Sequence, residues 1–319
     1  MRRREFLGIL GGTVAMPSLA IAQTSRIPRV GILMLGNPDP ALFLQQFGDA
    51  LREFGYVEGK NVALELRSAN GSQSRLSSLA GELVALNVNV IVGFQTPTVV
   101  AAKAATAEIP IVMCPAQEPV EMGFVASFAH PGGNITGMTT ATAEITGKNV
   151  DLIREALPAV RRLGAIGNAI DPFQKPFLES VAAAASKLRF QLKTILTRAE
   201  VLDSAFAELV KDRIEAVLVQ PSLPREFAGA TALKYHLPLV SPNAEFAAAG
   251  GLMAYSADPA SVYREAATFV DQILKGRKPA DLPVQLATKF VLVINLKTAK
   301  KLGLDIPPTL LARADEVIE

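Results

Sequence analysis

Catalysis needs a nucleophile beside a base, a metal cluster or a phosphate cradle, and this sequence has little material for any of them. It holds one cysteine, Cys114, and two histidines, His130 and His236. Neither histidine has a Cys or a second His at metal-ligand spacing. His130 stands in a turn before Pro131, and His236 ends a helical pattern before Leu237-Pro238, so both read as solvated loop residues. No Gly-x-Ser-x-Gly elbow, phosphate loop or Gly-x-Gly-x-x-Gly following a strand occurs beyond Ala22. No enzyme, no metal site and no cofactor is expected.

Binding chemistry is better supplied. In open α/β sheets, ligands gather at the carboxyl ends of strands. There the chain delivers Asn37 after a first apolar run and Phe94-Gln95-Thr96-Pro97-Thr98 after another. Thr96 suits an N-cap with Pro97 at the first helical position, and a helix start of that kind favours a carboxylate. Thr96 also reads equally well as a cap and nothing more. Gln117-Glu118 follow a further run, where Glu118 reads either as an ammonium acceptor or as a solvated turn carboxylate. In the second half Asn168, Asp171 and Phe173 follow one strand, Gln220 and Pro221 another, and Asn243, Glu245 and Phe246 a third. Phe94, Phe173, Phe246 and Tyr255 are candidates to pack a ring or an aliphatic group, at about 0.5–1.5 kcal/mol per stacked pair. The candidate ligand-binding set is Asn37, Phe94, Gln95, Thr96, Thr98, Gln117, Glu118, Thr139, Asn168, Phe173, Gln220, Asn243, Phe246 and Tyr255.

The elements that must hold these residues alternate almost throughout. Apolar, β-branched runs such as Val30–Leu35, Val90–Phe94, Ile109–Met113, Leu163–Gly167 and Ala216–Val219 read as strands covered on both faces. Between them lie helical patterns, for example Phe43, Phe47, Ala50, Leu51 and Phe54 on one stripe. The order predicts an α/β fold with parallel sheets, arranged as two Rossmann-like lobes because the pattern repeats after Pro131-Gly132-Gly133-Asn134-Ile135-Thr136-Gly137. That turn-rich stretch reads as a hinge crossover or as an ordinary surface loop.

The opening Arg2-Arg3-Arg4-Glu5-Phe6-Leu7, a short apolar run and small residues at Ala20 and Ala22 describe a signal peptide over 1–22, of twin-arginine type, cleaved near Ala22. The run is short of the roughly 20 residues a membrane span needs, so the protein is expected to be periplasmic and not membrane-spanning. The formal net charge of +2 comes from those first residues, and the near-neutral remainder argues against nucleic acid.

The chain resembles the substrate-binding proteins of ABC transporters whose members include tryptophan- and tyrosine-binding proteins. The likeness is carried by Leu51-Arg52-Glu53-Phe54-Gly55-Tyr56-Val57-Glu58-Gly59-Lys60-Asn61, by Thr96-Pro97 with Ala101-Ala102-Lys103, and by Ala249-Gly250-Gly251-Leu252-Met253-Ala254-Tyr255. The tail adds Val293-Ile294-Asn295-Leu296-Lys297-Thr298-Ala299-Lys300 and Ile306-Pro307-Pro308-Thr309-Leu310-Leu311-Ala312-Arg313-Ala314-Asp315. The resemblance implies the class I periplasmic binding protein architecture. Its N-terminal lobe would comprise residues 27–137 and 257–283, its C-terminal lobe 138–256 and 284–319, with a ligand cleft between them. It also implies a carboxylate at Thr96 and an acid before Pro-Val, here Glu118. Many relatives carry Gly-Asp where this chain has Gln117-Glu118, a departure that bears on the ligand.

The expected function is periplasmic capture of a small carboxylate, an aromatic or branched amino acid, by lobe closure and delivery to ABC permease subunits. A sensory ligand-binding protein docking on a receptor is the alternative, with an exported α/β hydrolase behind it.

Overall fold

The structure is a computed structural model that describes residues 27–36 and 40–319. The expected signal segment 1–22 and the candidate Asn37 lie outside the described residues.

Two sheets organise the chain. Strands β1 (Arg29–Met34), β2 (Ala63–Ser68), β3 (Val90–Phe94), β4 (Ile111–Met113) and β5 (Ile135–Thr139) run parallel in the first. The second holds β6 (Arg162–Asn168), β7 (Gln191–Thr197), β8 (Ala216–Val219), β9 (Leu239–Val240) and β10 (Met253–Ala257). Short β11 (Gln285–Leu286) returns to the first sheet, whose order is β11-β5-β4-β3-β1-β2. Strands β12 (Phe290–Asn295) and β13 (Glu316–Ile318) complete the second, ordered β13-β12-β10-β9-β8-β6-β7, in which β12 runs antiparallel to β10.

The apolar runs become central strands because helices cover both faces, so β3, β4 and β8 are buried along their whole length. On one face of the first sheet lie α1 (Pro40–Glu53) and α9 (Pro259–Leu274). The other face takes α2 (Leu76–Ala85) and α3 (Thr96–Ala105). The second sheet is covered on one side by α4 (Thr142–Ala156) and α5 (Gln174–Lys187), and on the other by α6 (Leu202–Lys211) and α7 (Arg225–Lys234). Short α8 (Glu245–Ala248), α10 (Leu296–Leu302) and α11 (Pro308–Leu311) close the ends. The stripe read from the sequence of α1 is real: Phe43, Phe47, Ala50 and Leu51 are buried, and Phe43 stacks on Phe47 with centroids 5.3 Å apart. Full burial of each such ring contributes about 1.5–3 kcal/mol. Among the described residues no helix is long and apolar enough to cross a membrane.

The chain passes between the sheets after Thr139, after Ala257 and after Leu286. These points fall beyond the expected divisions at 137/138, 256/257 and 283/284. The turn signal at Gly132-Gly133 ends earlier than anticipated, because β5 starts at Ile135 and its last residues still pair with β11, Met138 with Gln285 and Thr139 with Leu286. Gly137 therefore sits inside a strand. Its φ of +124° and the backbone of Met113, 2.5 Å from where a Cβ would stand, explain why glycine occupies it.

Candidate functional site

The strand ends of the two sheets face one another across a cavity of about 840 Å³, counting the space that opens to solvent. The first sheet contributes Phe94 and Gln95 after β3, and Pro115 and Gln117 after β4. The second contributes Asp171 and Phe173 after β6, Gln220, Pro221 and Ser222 after β8, and Asn243 and Glu245 after β9. Thr140 comes from the crossover after β5, Thr142 from the start of α4, Ser256 from the end of β10 and Tyr263 from α9.

Asp171 is the most unusual of these groups. Its side chain is buried, with Oδ1 accepting from the Phe173 amide at 2.9 Å and Oδ2 from Gln220 Nε2 at 2.8 Å. Gln220 in turn accepts the Asn168 amide on Oε1 at 2.8 Å, and Asn168 Nδ2 reaches the Ser222 hydroxyl at 3.3 Å. Burial pushes the Asp171 carboxyl above its ordinary value, against hydrogen bonds from Ser222, Phe173 and Gln220 that pull it down. Neutral donors thus orient this carboxylate, and among the described residues no Lys or Arg pairs with it.

Across the cavity, Gln95 holds φ 72° and ψ 159°, a region that costs a side-chain-bearing residue roughly 1–3 kcal/mol. Its amide donates to Pro115 O at 3.1 Å while its carbonyl receives Thr98 N, which fixes the turn into α3. Thr96 Oγ1 accepts the Gln117 amide at 3.1 Å and donates to Gln117 Oε1, tying the end of β3 to the loop after β4. No side chain caps α4, which presents first-turn amides at this end of the sheets, whereas in α3 Thr96 is buried, Pro97 lacks an N–H and the Thr98 amide is taken by the Gln95 carbonyl. Glu245 stands on the far wall with Arg225 Nη1 at 2.5 Å, both side chains mostly buried. The Tyr263 phenol is pushed up by burial, with Glu245 and Cys114 adding to the effect.

Hydrogen bonds between described residues join the lobes at the cavity. Gln95 Nε2 donates to Pro221 O at 3.3 Å, and Gln73 Nε2 donates to Ile170 O at 2.7 Å.

Of the candidates named from the sequence, Phe94, Gln95, Gln117, Phe173, Gln220 and Asn243 line the cavity together. Thr96 and Asn168 lie behind the wall and hold its side chains in place. Thr98 does not reach the cavity, because its hydroxyl turns back to Phe94 O and Gln95 O. Thr139 is buried in β5, with its carbonyl taken by the Ala287 amide. Phe246 is wholly buried among Phe206, Leu239 and their neighbours, and Tyr255 stacks on Phe290 at 5.7 Å. Glu118 lines an outer groove with Glu121, Asp151 and Glu179 instead. Its φ of 43° turns the chain there, and burial with the Glu121 charge raises its carboxyl.

Asp171 and Glu245 were marked by following strands, but nothing in the sequence separated them from Glu118. Thr140, Thr142, Ser256 and Tyr263 carried no such signal.

A sequence model described as ABC transporter substrate binding protein matches residues 34–318. A protein described as the tyrosine-binding protein of Clostridioides difficile is 27% identical over 266 residues, 81% of this chain and 75% of that one. Among solved structures, a conserved domain protein from Vibrio cholerae is 27% identical at a TM-score of 0.83, covering 92% of this chain and 100% of its own. An ABC domain from Streptococcus pneumonia solved with L-Trp is 26% identical, with a TM-score of 0.83 over 91% of this chain and 99% of that one. The two mostly parallel sheets with interleaved helices are the class I periplasmic binding protein fold.

Proposed function

Because this chain belongs to the ABC transporter substrate-binding protein family, we propose that it captures an amino acid between its lobes and delivers it to a membrane permease. The observation that carries the amino-acid reading is Asp171, a buried carboxylate held by neutral donors and facing a cavity. A buried charge of this kind calls for a cation, and an α-ammonium has the size and the donors to supply it. The ligand's carboxylate goes to the first turn of α4, where uncapped amides and the helix dipole contribute about 0.3–1 kcal/mol, and up to about 2 when partly buried. Phe94, Phe173 and Tyr263 give its side chain an aromatic surround. The tyrosine-binding relative and the neighbour solved with L-Trp support an aromatic side chain over a branched one.

Capture proceeds by closure about the three crossovers, with Gln73 and Gln95 making their cross-lobe bonds in the closed arrangement. Export through the segment 1–22 and release into the periplasm belong to the same reading. A thermal-shift screen of the protein against amino acids, aromatic carboxylates and short dicarboxylates tests it. A ligand in hundredfold excess over its Kd adds about 2.7 kcal/mol of stability. Stabilisation by L-amino acids but not by the matching deaminated acids is expected, and an equal response to both would remove the ammonium from the reading.

A further inference from the structure

Gln73 and Gln95 cross from the first lobe, and the carbonyls that receive them belong to the two turns that build the Asp171 site. Gln73 Nε2 donates to Ile170 O at 2.7 Å, on the peptide that leads directly into Asp171. Within its own lobe that turn is held by the Asp171 amide on Asn168 O at 3.0 Å and by the Ile170 amide on Asn168 Oδ1 at 3.3 Å. Gln95 Nε2 donates to Pro221 O, between Gln220 and Ser222, both of which hydrogen-bond the Asp171 carboxylate. The segment bearing Gln73 is shaped for this reach. Asn70 at φ 51° and Gly71 at φ 81° turn the chain after β2, and a Cβ at Gly71 would stand 3.8 Å from Pro224 Cγ of the other lobe. Each glutamine leaves its own side-chain oxygen enclosed and, among the described residues, without a partner. An unmet buried acceptor costs at least as much as one hydrogen bond returns. The two contacts therefore contribute little to closure by themselves, and a bound ligand must supply the balance.

We propose that Gln73 is a positioning residue for the ammonium site: by holding the Ile170 carbonyl it fixes the turn into Asp171, so that the bound ammonium and the cross-lobe contact stabilise one another. The inference rests on the amino-acid reading above and deepens it, since it makes the charged end of the ligand the group that keeps the lobes shut. The physical link is short. Ile170 and Asp171 share a peptide whose carbonyl receives Gln73 and whose N–H is bound to Asn168 O. With that peptide held at both ends, the Asp171 side chain leaves the backbone in a fixed direction. An ammonium at its oxygens then resists any rotation of the turn that would break the Gln73 bond, and the coupling is reciprocal. Gln73 stands outside the cavity lining, so a change there reaches the ligand through the turn.

The test is a double-mutant cycle of the full chain, comparing wild type, Gln73→Met, Asp171→Asn and the double variant. L-Tryptophan and L-tyrosine are the probes, with affinity read by calorimetry and rates by stopped-flow mixing. Gln73→Met keeps the length of the side chain and removes its donor. It is expected to raise the dissociation rate about three- to tenfold, the scale of one hydrogen bond, while association stays within about twofold. In the Asp171→Asn background the same change should alter dissociation by less than about twofold. An unchanged melting temperature of the ligand-free Gln73→Met protein separates a lost tie from a lost fold, and Gln73→Glu serves in its place if methionine disturbs the fold. An equal factor in both backgrounds overturns the proposal, because Gln73 would then act on closure without Asp171. So does an unchanged dissociation rate in the Gln73 variant, or a loss confined to association. Wild-type affinity in Asp171→Asn, or a wild type that binds neither amino acid, overturns the amino-acid reading and this inference with it, and either result is seen without any Gln73 variant.

Discussion

Gln220 donates Nε2 to Asp171 Oδ2 at 2.8 Å while its Oε1 accepts the Asn168 amide at 2.8 Å, so one side chain ties the end of β6 to the carboxylate beyond it. The amide cannot turn over without opposing like atoms at both ends, which makes the Asp171 oxygens a fixed target. A ligand cation then meets an acceptor that needs no reordering, and the cost of binding falls accordingly.

Asp171→Asn keeps the shape of this acceptor and removes its charge. Hydrogen bonds to charged groups contribute about 1.5–3 kcal/mol, so affinity for an ammonium-bearing ligand should drop roughly ten- to a hundredfold. Glu118→Gln, in the outer groove, should leave affinity within about twofold. Titration calorimetry on both variants decides between the two acids. A loss in Glu118→Gln with none in Asp171→Asn would move the ammonium to the groove.

The same carboxyl sets a pH dependence with a definite sign. Its folded pKa lies above the ordinary 3.8, chiefly through burial, so the folded protein retains a proton that the unfolded chain has already released. Stability of the ligand-free protein therefore falls as pH rises from about 3.8 through the folded pKa, and levels off beyond it. Glu118 shifts in the same direction, so the contribution of Asp171 is read as the difference between wild type and Asp171→Asn. Urea titrations at a series of pH values should give a shallower fall in the variant. Ammonium binding favours the ionised carboxylate, so wild-type affinity should rise over the same window. Parallel stability curves for the two proteins would contradict this.

The strand ends at Phe94-Gln95, Asn168 and Gln220 were legible because apolar runs followed by polar residues mark where buried strands leave the sheet. What the pattern does not carry is the direction of the chain after the strand. Glu118 and Asp171 both follow strands, yet a turn at φ 43° sends one to the outer groove while the Phe173 and Gln220 bonds draw the other inward. Phe246 and Tyr263 differ in the same way. The first follows β9 but packs into the core, while the second sits in α9 and reaches the cavity because the crossover after Ala257 lays that helix across the first sheet. Thr140 and Thr142 owe their position to another crossover, which lies beyond the turn signal that announced it.

Thr96 acts through Gln117. Its hydroxyl accepts the Gln117 amide at 3.1 Å and donates to the same side chain, which fixes a wall residue from behind. Thr96→Val keeps the volume and removes both bonds, so Gln117 should lose its fixed position. Ligand affinity is expected to fall several-fold, by about 1 kcal/mol for a neutral pair, while Thr96→Ser should restore most of it. Thermal unfolding run beside the titrations separates this from a general loss of fold. A serine variant as weak as the valine variant would mean the methyl packing, and not the hydroxyl, holds the wall.

Arg225 and Glu245 form an ion pair at 2.5 Å with side chains 10% and 19% exposed, so the charges are largely withdrawn from water. Such a pair is weak support for stability as a whole, because desolvation offsets much of the attraction, but removing one member is costly. Arg225→Met leaves Glu245 in the wall without the adjacent guanidinium and should destabilise the ligand-free protein by about 3–5 kcal/mol. Adding Glu245→Leu removes the buried charge as well and should recover a substantial part of that loss, since an apolar replacement of a buried pair is often close to neutral. Urea unfolding of the two single variants and the double variant measures the coupling directly. A single variant within about 1 kcal/mol of wild type would show that water reaches the pair, and a double variant no better than the single would show that Arg225 supports the fold through its stem, not its charge.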